Sequence, residues 1–190
     1  MTTAHPVPDR LEPARCVLVV VDIQDRFRDL IHHMDEVVGN ATRLIRFFKT
    51  LDLPILVTEH YPRGLGHTVP EIAALWDEFL PLEKIHFSCA GDDGFNAALE
   101  ATGRDQVILC GIETHVCIYQ TAADLRRAGK QVVVAADAVS SGAKQNRKLG
   151  LKAMAALGVQ ELGSQMVMFE ILHRAGTERF KAVAELLRGS

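Results

Sequence analysis

Cys117 lies in a segment that reads as the end of a strand, a tight turn and the start of a helix, CGIETHVCIYQTAADL from Cys110 to Leu125. A thiol at the N-terminus of a helix experiences the positive end of the helix dipole and unpaired backbone N–H groups. Both effects lower the pKa of a thiol, so the position predicts a nucleophile. The alternative interpretation is a small buried hydrophobic residue that packs against a sheet.

A nucleophilic thiol needs a base, and the best candidate is Asp22. His115 is two residues from Cys117, and helical residues two apart do not face each other. Asp124 lies two turns further along the same helix. Asp22 ends the first predicted strand, and Lys84, near the third, could reach the same edge and offset repulsion between carboxylate and thiolate. A strand-end cap and a solvated lysine are the structural alternatives for these two residues.

The elements that must position these residues alternate between strand and helix. Buried apolar runs are typical of parallel strands, and the chain contains CVLVVVD, LPILVTE, QVILCGI and QVVVAAD, with weaker candidates in FLPLEKIHFS and VQEL. The alternation predicts an α/β fold, a three-layer αβα sandwich around a six-stranded, mainly parallel, Rossmann-like sheet. In a sheet of order 3-2-1-4-5-6, ligands bind between strands one and four, where Asp22 and Cys117 would meet. The segment HYPRGLGHTVP is predicted to be a long loop and a candidate lid.

Length and composition favour one domain without an extended charged surface. The 190 residues are 48% hydrophobic, and the net charge of -3 is spread along the chain. These values predict a single domain over residues 16–190 and no binding to nucleic acid. No apolar run is long enough to cross a bilayer, so no membrane binding is expected. The polar, proline-rich start MTTAHPVPDRLEPAR predicts an extended N-terminal arm over residues 1–15. The first residues lack a signal-peptide pattern, and the four cysteines include no CxxC pair, so we expect a cytoplasmic protein with free thiols.

Four stretches resemble the isochorismatase-like cysteine hydrolase superfamily, which includes nicotinamidases and N-carbamoyl amide hydrolases. They are VVVDIQDRF, EKIHFSC, ILCGIETHVCIYQTAADL and VVVAADAVSS. Their order and their spread over most of the chain make the resemblance specific. TEHYPRGLGHTVPE together with EKIHFSC is most similar to the branch of isochorismatase domain-containing proteins.

The resemblance implies a catalytic triad of Asp22, Lys84 and Cys117. It also implies a cis peptide between Ile112 and Glu113, which would let the backbone N–H groups of Glu113 and Cys117 form an oxyanion hole. Asp22 would act as acid and base, Lys84 would hold Asp22, and Cys117 would form a thioester with a small amide or carbamoyl-type substrate. Members of this superfamily are commonly dimers, tetramers or larger, so a homo-oligomer is expected.

The chain departs from nicotinamidases at their metal motif. Glu59, His60 and His67 offer ligand chemistry, but their spacing differs from that motif, so no metal or other cofactor is expected. Four aromatic residues are predicted to line the substrate pocket, with ordinary core packing as the alternative: Phe27, Tyr61, Trp76 and Phe87. Vinyl-ether hydrolysis of the isochorismatase type, which does not need the thiol, and a non-catalytic interaction protein on the same fold remain alternative functions.

Overall fold

The computed structural model describes residues 8–188, and its centre is a sheet whose strands are buried between two layers of helices. All five strand pairings are parallel, and the strand order is β3-β2-β1-β4-β5-β6. The strands are β1 Cys16–Val21, β2 Ile55–His60, β3 Leu82–Lys84, β4 Gln106–Ile112, β5 Gln131–Ser140 and β6 Gln160–Leu162. The predicted α/β class and strand order are confirmed.

Eight α-helices of the described chain connect and cover these strands. They are α1 Met34–Thr50, α2 Pro62–Leu65, α3 Pro70–Ala73, α4 Asp93–Ala101, α5 Tyr119–Arg127, α6 Lys144–Ala156, α7 Ser164–Leu172 and α8 Glu178–Arg188. A π-helical turn, Thr114–Ile118, precedes α5. None of these helices is both long and apolar enough to span a bilayer.

The side chains of β1 point alternately to the two faces of the sheet and so contribute to two separate halves of the core. Leu18 and Val20 pack with the apolar faces of α1, α7 and α8, whereas Val17, Val19 and Val21 pack with α4, α5 and α6. Side chains on successive strand residues point to opposite faces, so a fully apolar strand must be covered on both sides. The continuous apolar run CVLVVV of β1 is therefore the sequence feature that produces three layers.

The predicted loop between β2 and β3 contains more regular structure than the sequence indicated. Two single-turn helices, α2 and α3, begin at Pro62 and Pro70. Proline suits the first position of a helix because its fixed φ is already helical and its missing N–H would have no helical partner there. The interpretation of this segment as irregular is therefore wrong.

The part of the predicted N-terminal arm that is described lies along the start of the sheet. Residues 1–7 lie outside the described residues. Leu11 is fully buried, and the Glu12 N–H donates to Gln106 Oε1 over 2.7 Å. Gln106 and Gln131 side chains donate in return to the carbonyls of Arg10 and Asp9. The division into an arm over 1–15 and a domain over 16–190 stays a prediction.

Candidate active site

The carboxyl ends of β1, β2, β3 and β4 meet at one edge of the sheet and carry the polar residues of the site. Asp22 follows β1 with φ at 53°, a left-handed conformation that aspartate tolerates better than most residues. Val21 stands in register with Thr58 on one side and Gly111 on the other. A Cβ at Gly111 would lie 2.0 Å from the Val21 carbonyl oxygen, so only glycine lets β4 approach β1 here.

Lys84 and Asp22 form a buried ion pair at this edge. Lys84 Nζ lies 2.7 Å from Asp22 Oδ2, and both side chains are almost completely inaccessible. The ammonium also donates to the carbonyls of His86 and Phe87, over 3.1 and 3.3 Å. Burial by itself lowers the pKa of Lys84, but attraction to the Asp22 carboxylate is the largest of the effects that outweigh it, so the net pKa is raised. The lysine therefore stays charged beside the carboxylate at neutral pH.

Thr58 fixes the other oxygen of the carboxylate. Its hydroxyl donates to Asp22 Oδ1 over 2.7 Å and lies 3.9 Å from Cys89 Sγ. Sequence reasoning missed Thr58, although a parallel register between strands one and two would have placed the end of β2 beside Asp22. It also missed Cys89, which is fully buried next to the site and whose thiol pKa is raised by burial to about 11.

Cys117 lies in the π-helical turn and is buried against the carboxylate. Glu113 O accepts hydrogen bonds from the N–H groups of Val116 and Ile118, which holds the turn after β4. The thiol and the Asp22 carboxylate line the same cleft. Burial, then the negative charge of Asp22, raises the pKa of Cys117, although Lys84 acts in the opposite direction. The predicted lowering of this pKa by a helix N-terminus is therefore wrong, because desolvation and a neighbouring carboxylate dominate.

A cleft of about 190 Å³ opens over Cys117. Its apolar wall consists of Phe27, Leu65, Phe87, Ile112 and Val116. Its polar groups are Asp22, His60, Glu113 and Cys117. Phe27 and Phe87 line this cleft, and their role as substrate-pocket residues stays a prediction. The peptide bond between Ile112 and Glu113 is cis.

Two of the predicted pocket aromatics lie elsewhere. Trp76 packs against the core beside Phe79, with ring centroids 5.5 Å apart, and the Lys49 ammonium lies 4.8 Å from its ring centroid. Tyr61 is half exposed and lines an open surface groove beside β3 instead of the cleft over Cys117. Both interpretations as pocket residues are corrected here, because the path of the segment between β2 and β3 carries these rings away from the cleft.

The three candidate metal ligands do not converge. Glu59 is buried and accepts from the Thr68 N–H over 2.6 Å, and its other oxygen lies 3.0 Å from His67 Nδ1. His60 lies in the cleft beside Phe87, with ring centroids 5.4 Å apart. Within residues 8–188 there is no group of three or more His, Cys, Asp or Glu side chains that could hold a metal ion.

A model of the isochorismatase domain family matches residues 16–165. The chain belongs to the isochorismatase family. It is 35% identical over 189 residues to isochorismatase domain-containing protein 2 of Rattus norvegicus, covering 99% of this chain and 88% of that protein. The family assignment supports a hydrolase, as the resemblance implied.

Solved structures show the same fold. The MAR1 ribonuclease of Caenorhabditis elegans is 34% identical with a TM-score of 0.89, covering 96% of this chain and 94% of that one. YcaC of Escherichia coli, described as an octameric hydrolase of unknown specificity, is 24% identical with a TM-score of 0.89, covering 96% and 91%. At that identity YcaC supports the fold alone, so the homo-oligomer of this isochorismatase-family chain stays a prediction.

Proposed function

We propose that this protein is a cysteine hydrolase that cleaves the C–N bond of a small amide or carbamoyl-type substrate. The observation that carries the proposal is the buried Lys84–Asp22 ion pair, whose carboxylate lines the same small cleft as the Cys117 thiol. A carboxylate held between a lysine and a threonine has one partner left to act on, the thiol proton. The site is therefore built for general-base activation of sulfur.

The reaction begins with the thiol in its neutral form. Asp22 takes the Sγ proton as sulfur attacks the carbonyl carbon, and the developing oxyanion is held by the backbone N–H groups of Glu113 and Cys117. The protonated Asp22 then gives the proton to the leaving nitrogen as the C–N bond breaks, which leaves a thioester on Cys117. Asp22 next takes a proton from water as the water oxygen attacks the thioester, and it gives that proton to the sulfur as the C–S bond breaks, which releases the acid and restores the thiol and the carboxylate. Lys84 stays charged throughout and holds Asp22.

The first experiment measures ammonia release from a panel of small primary amides by wild type, Cys117→Ala and Asp22→Asn. We expect both variants to lose turnover by about a thousandfold or more, because the thiol and the base act in every step. Acid quenching during turnover should leave an acyl adduct on Cys117, which peptide mass spectrometry can locate. Turnover that persists in Cys117→Ala would contradict the thioester mechanism.

Vinyl-ether hydrolysis is the alternative reaction within the family. The same two variants distinguish it from amide hydrolysis. Vinyl-ether hydrolysis does not need the thiol, so Cys117→Ala would retain it. Isochorismate is a dianion, whereas the described lining of the cleft contains no lysine or arginine. The charge of the cleft therefore favours amide hydrolysis. If no variant or substrate shows turnover, the non-catalytic interaction protein is the remaining interpretation.

RNA cleavage is a second candidate because the Caenorhabditis elegans relative at 34% identity is described as a ribonuclease. The cleft of about 190 Å³ has in its described lining no lysine or arginine, the side chains that bind phosphates. We therefore expect the protein to leave a single-stranded RNA oligonucleotide intact. Cleavage that disappears in Cys117→Ala or Asp22→Asn would assign the site to RNA, and cleavage that survives both variants would indicate a contaminating nuclease.

A further inference from the structure

The cleft over Cys117 has one charge that the protein does not neutralise. Asp22 is paired with Lys84. His60 is kept neutral, because burial and then Lys84 lower the pKa of its imidazole. Glu113 forms no ion pair with any residue that the structure describes. Of the two carboxylate residues that line the cleft, Asp22 and Glu113, only Glu113 therefore lacks a cationic partner among the described residues.

The Glu113 side chain is held in one orientation. Glu113 directly follows β4, and its Oε2 accepts a hydrogen bond of 2.8 Å from the backbone N–H of Gly142. No described residue donates a hydrogen bond to its Oε1. An anchored carboxylate with one oxygen unused can receive a hydrogen-bond donor from a ligand at little entropic cost. The feature was invisible to sequence reasoning, which considered only the backbone of Glu113.

We propose that Glu113 selects the substrate, and that the preferred substrates are small amides that carry a positively charged amino group. This inference rests on the proposed function, since it names the class of amide that the site takes. A cleft of about 190 Å³ corresponds to about six water volumes, so the substrate has few heavy atoms beyond its amide. The apolar wall accepts a short hydrocarbon chain, and the carboxylate accepts the ammonium group. An anionic amide would meet repulsion from Glu113 with no cation to compensate it.

A matched set of three probes tests this charge preference: 3-aminopropanamide, butanamide and succinamate. The first two have the same heavy-atom count and differ in an ammonium group against a methyl group, and succinamate carries a carboxylate instead. Ammonia release is measured at pH 7.5 for wild type, Glu113→Gln and the control Glu100→Gln, an exposed position on α4. Glutamine retains an oxygen for the Gly142 N–H but removes the charge.

We expect kcat/KM of wild type for 3-aminopropanamide to exceed that for butanamide by roughly ten- to a hundredfold, the range of a hydrogen bond between charged groups. Succinamate should be the slowest of the three. Glu113→Gln should bring the first ratio to within about threefold of unity, mainly through KM, whereas Glu100→Gln should leave the ratio as in wild type. A ratio that is near unity in wild type, or that Glu113→Gln does not change, would overturn the inference while leaving amide hydrolysis intact.

Binding separates failure of the inference from failure of the proposed function. Dissociation constants of 3-aminopropanamide and butanamide are measured by ligand-observed NMR on Cys117→Ala and on Cys117→Ala/Glu113→Gln. If wild type hydrolyses none of the probes, tighter binding of the ammonium probe that disappears in the double variant upholds the role of Glu113 and removes only the hydrolysis. Equal affinity for the two probes in Cys117→Ala, or no binding of either, overturns the role of Glu113.

Discussion

At the scale of single residues, the resting site combines a neutral thiol with a charged carboxylate. Burial and Asp22 both raise the pKa of Cys117, so the thiolate is rare in the free protein at neutral pH. Such a site differs from cysteine sites in which a nearby cation produces a standing thiolate. In the proposed mechanism, proton transfer to Asp22 coincides with attack on a bound carbonyl, which would protect the thiol from adventitious electrophiles between turnovers.

This arrangement predicts an unusual response to removal of the base. In Asp22→Asn the carboxylate charge that raises the pKa of Cys117 is gone, while Lys84 still lowers it. We therefore expect the pH midpoint for alkylation of Cys117 by iodoacetamide to fall relative to wild type, although amide turnover is lost. Intact mass and peptide mapping follow the rate of Cys117 labelling across pH 6–10, which should begin to rise at a lower pH in Asp22→Asn than in wild type, with Cys117→Ala as the control for labelling elsewhere. A rise that begins at the same or a higher pH in Asp22→Asn would contradict the assigned origin of the raised pKa.

Thr58 is predicted to position Asp22 without touching substrate. Thr58→Val has the same shape but removes the hydroxyl that donates to Asp22 Oδ1 over 2.7 Å. We expect the free energy of unfolding to fall by about 1.5–3 kcal/mol, as for loss of a hydrogen bond to a charged group, and kcat to fall with little change in KM. Thr58→Ser keeps the hydroxyl and should restore most of kcat. Equal kcat losses in the valine and serine variants would show that packing, and not the hydrogen bond, matters here.

At the scale of secondary-structure elements, α6 supports the turn that carries Cys117. A Cβ at Gly150 of α6 would lie 2.8 Å from the Thr114 carbonyl oxygen and 2.9 Å from His115 Cα. These are backbone atoms of the π-helical turn, which cannot move aside as a flexible side chain can. Because Gly150 has no side chain, α6 packs directly on the π-helical turn and so helps to set the position of Cys117 in the cleft.

Gly150→Ala should consequently displace the π-helical turn. We expect a loss of kcat of about tenfold or more, because displacements of about 1 Å in a site commonly cost that much. The matched control is Gly39→Ala in α1, where nothing lies within 4 Å of the added Cβ, so the gain in helix propensity should stabilise the fold by about 0.5–1 kcal/mol without changing kcat. Steady-state kinetics and thermal melts of both variants measure the two effects. Wild-type kcat in Gly150→Ala would show that α6 does not set the position of the turn.

The sequence predicted those elements whose apolar pattern has one interpretation. The buried apolar runs that became β1, β4 and β5 indicated strands of a covered parallel sheet, whereas the strand order was adopted from Rossmann-like sheets and does not follow from the runs themselves. The segment between β2 and β3 was less predictable, because its prolines suit loops and helix starts equally. The wrong placements of Tyr61 and Trp76 follow from the unknown path of that segment. The pKa of Cys117 was mispredicted because burial and distance to Asp22 depend on tertiary contacts that a local pattern does not contain.

At the scale of the whole molecule, the site lies where the order of strands reverses. Crossovers from β1 run to one face of the sheet and those from β4 to the other, so a crevice opens between the ends of these two strands. Asp22 and Cys117 occupy the two sides of this crevice, and Lys84 reaches it from the edge strand β3. The Lys84 and Asp22 side chains are almost completely buried in this crevice, which has a consequence for stability.

A buried ion pair contributes less to stability than its short distance indicates, because both charges lose their hydration. We expect Asp22→Asn and Lys84→Met each to lower the free energy of unfolding by about 3–5 kcal/mol, since each leaves one buried group without its partner. The double variant should lose far less than the sum and approach or exceed the stability of wild type. Urea unfolding of the four proteins at pH 7.5 gives this coupling directly.

The pH dependence of the same four proteins provides a second test with a defined sign. The pKa of Lys84 is raised in the folded state, so its contribution is complete below the unfolded value of about 10.4 and is lost as pH rises through the folded value. The free energy of unfolding of wild type should therefore fall relative to that of the double variant above about pH 10.4. Between pH 7 and 9 the difference between the two free energies should stay constant. Additive losses at pH 7.5, or parallel curves above pH 10.4, would mean that Lys84 and Asp22 are not coupled in the fold and that Lys84 does not hold the base in place.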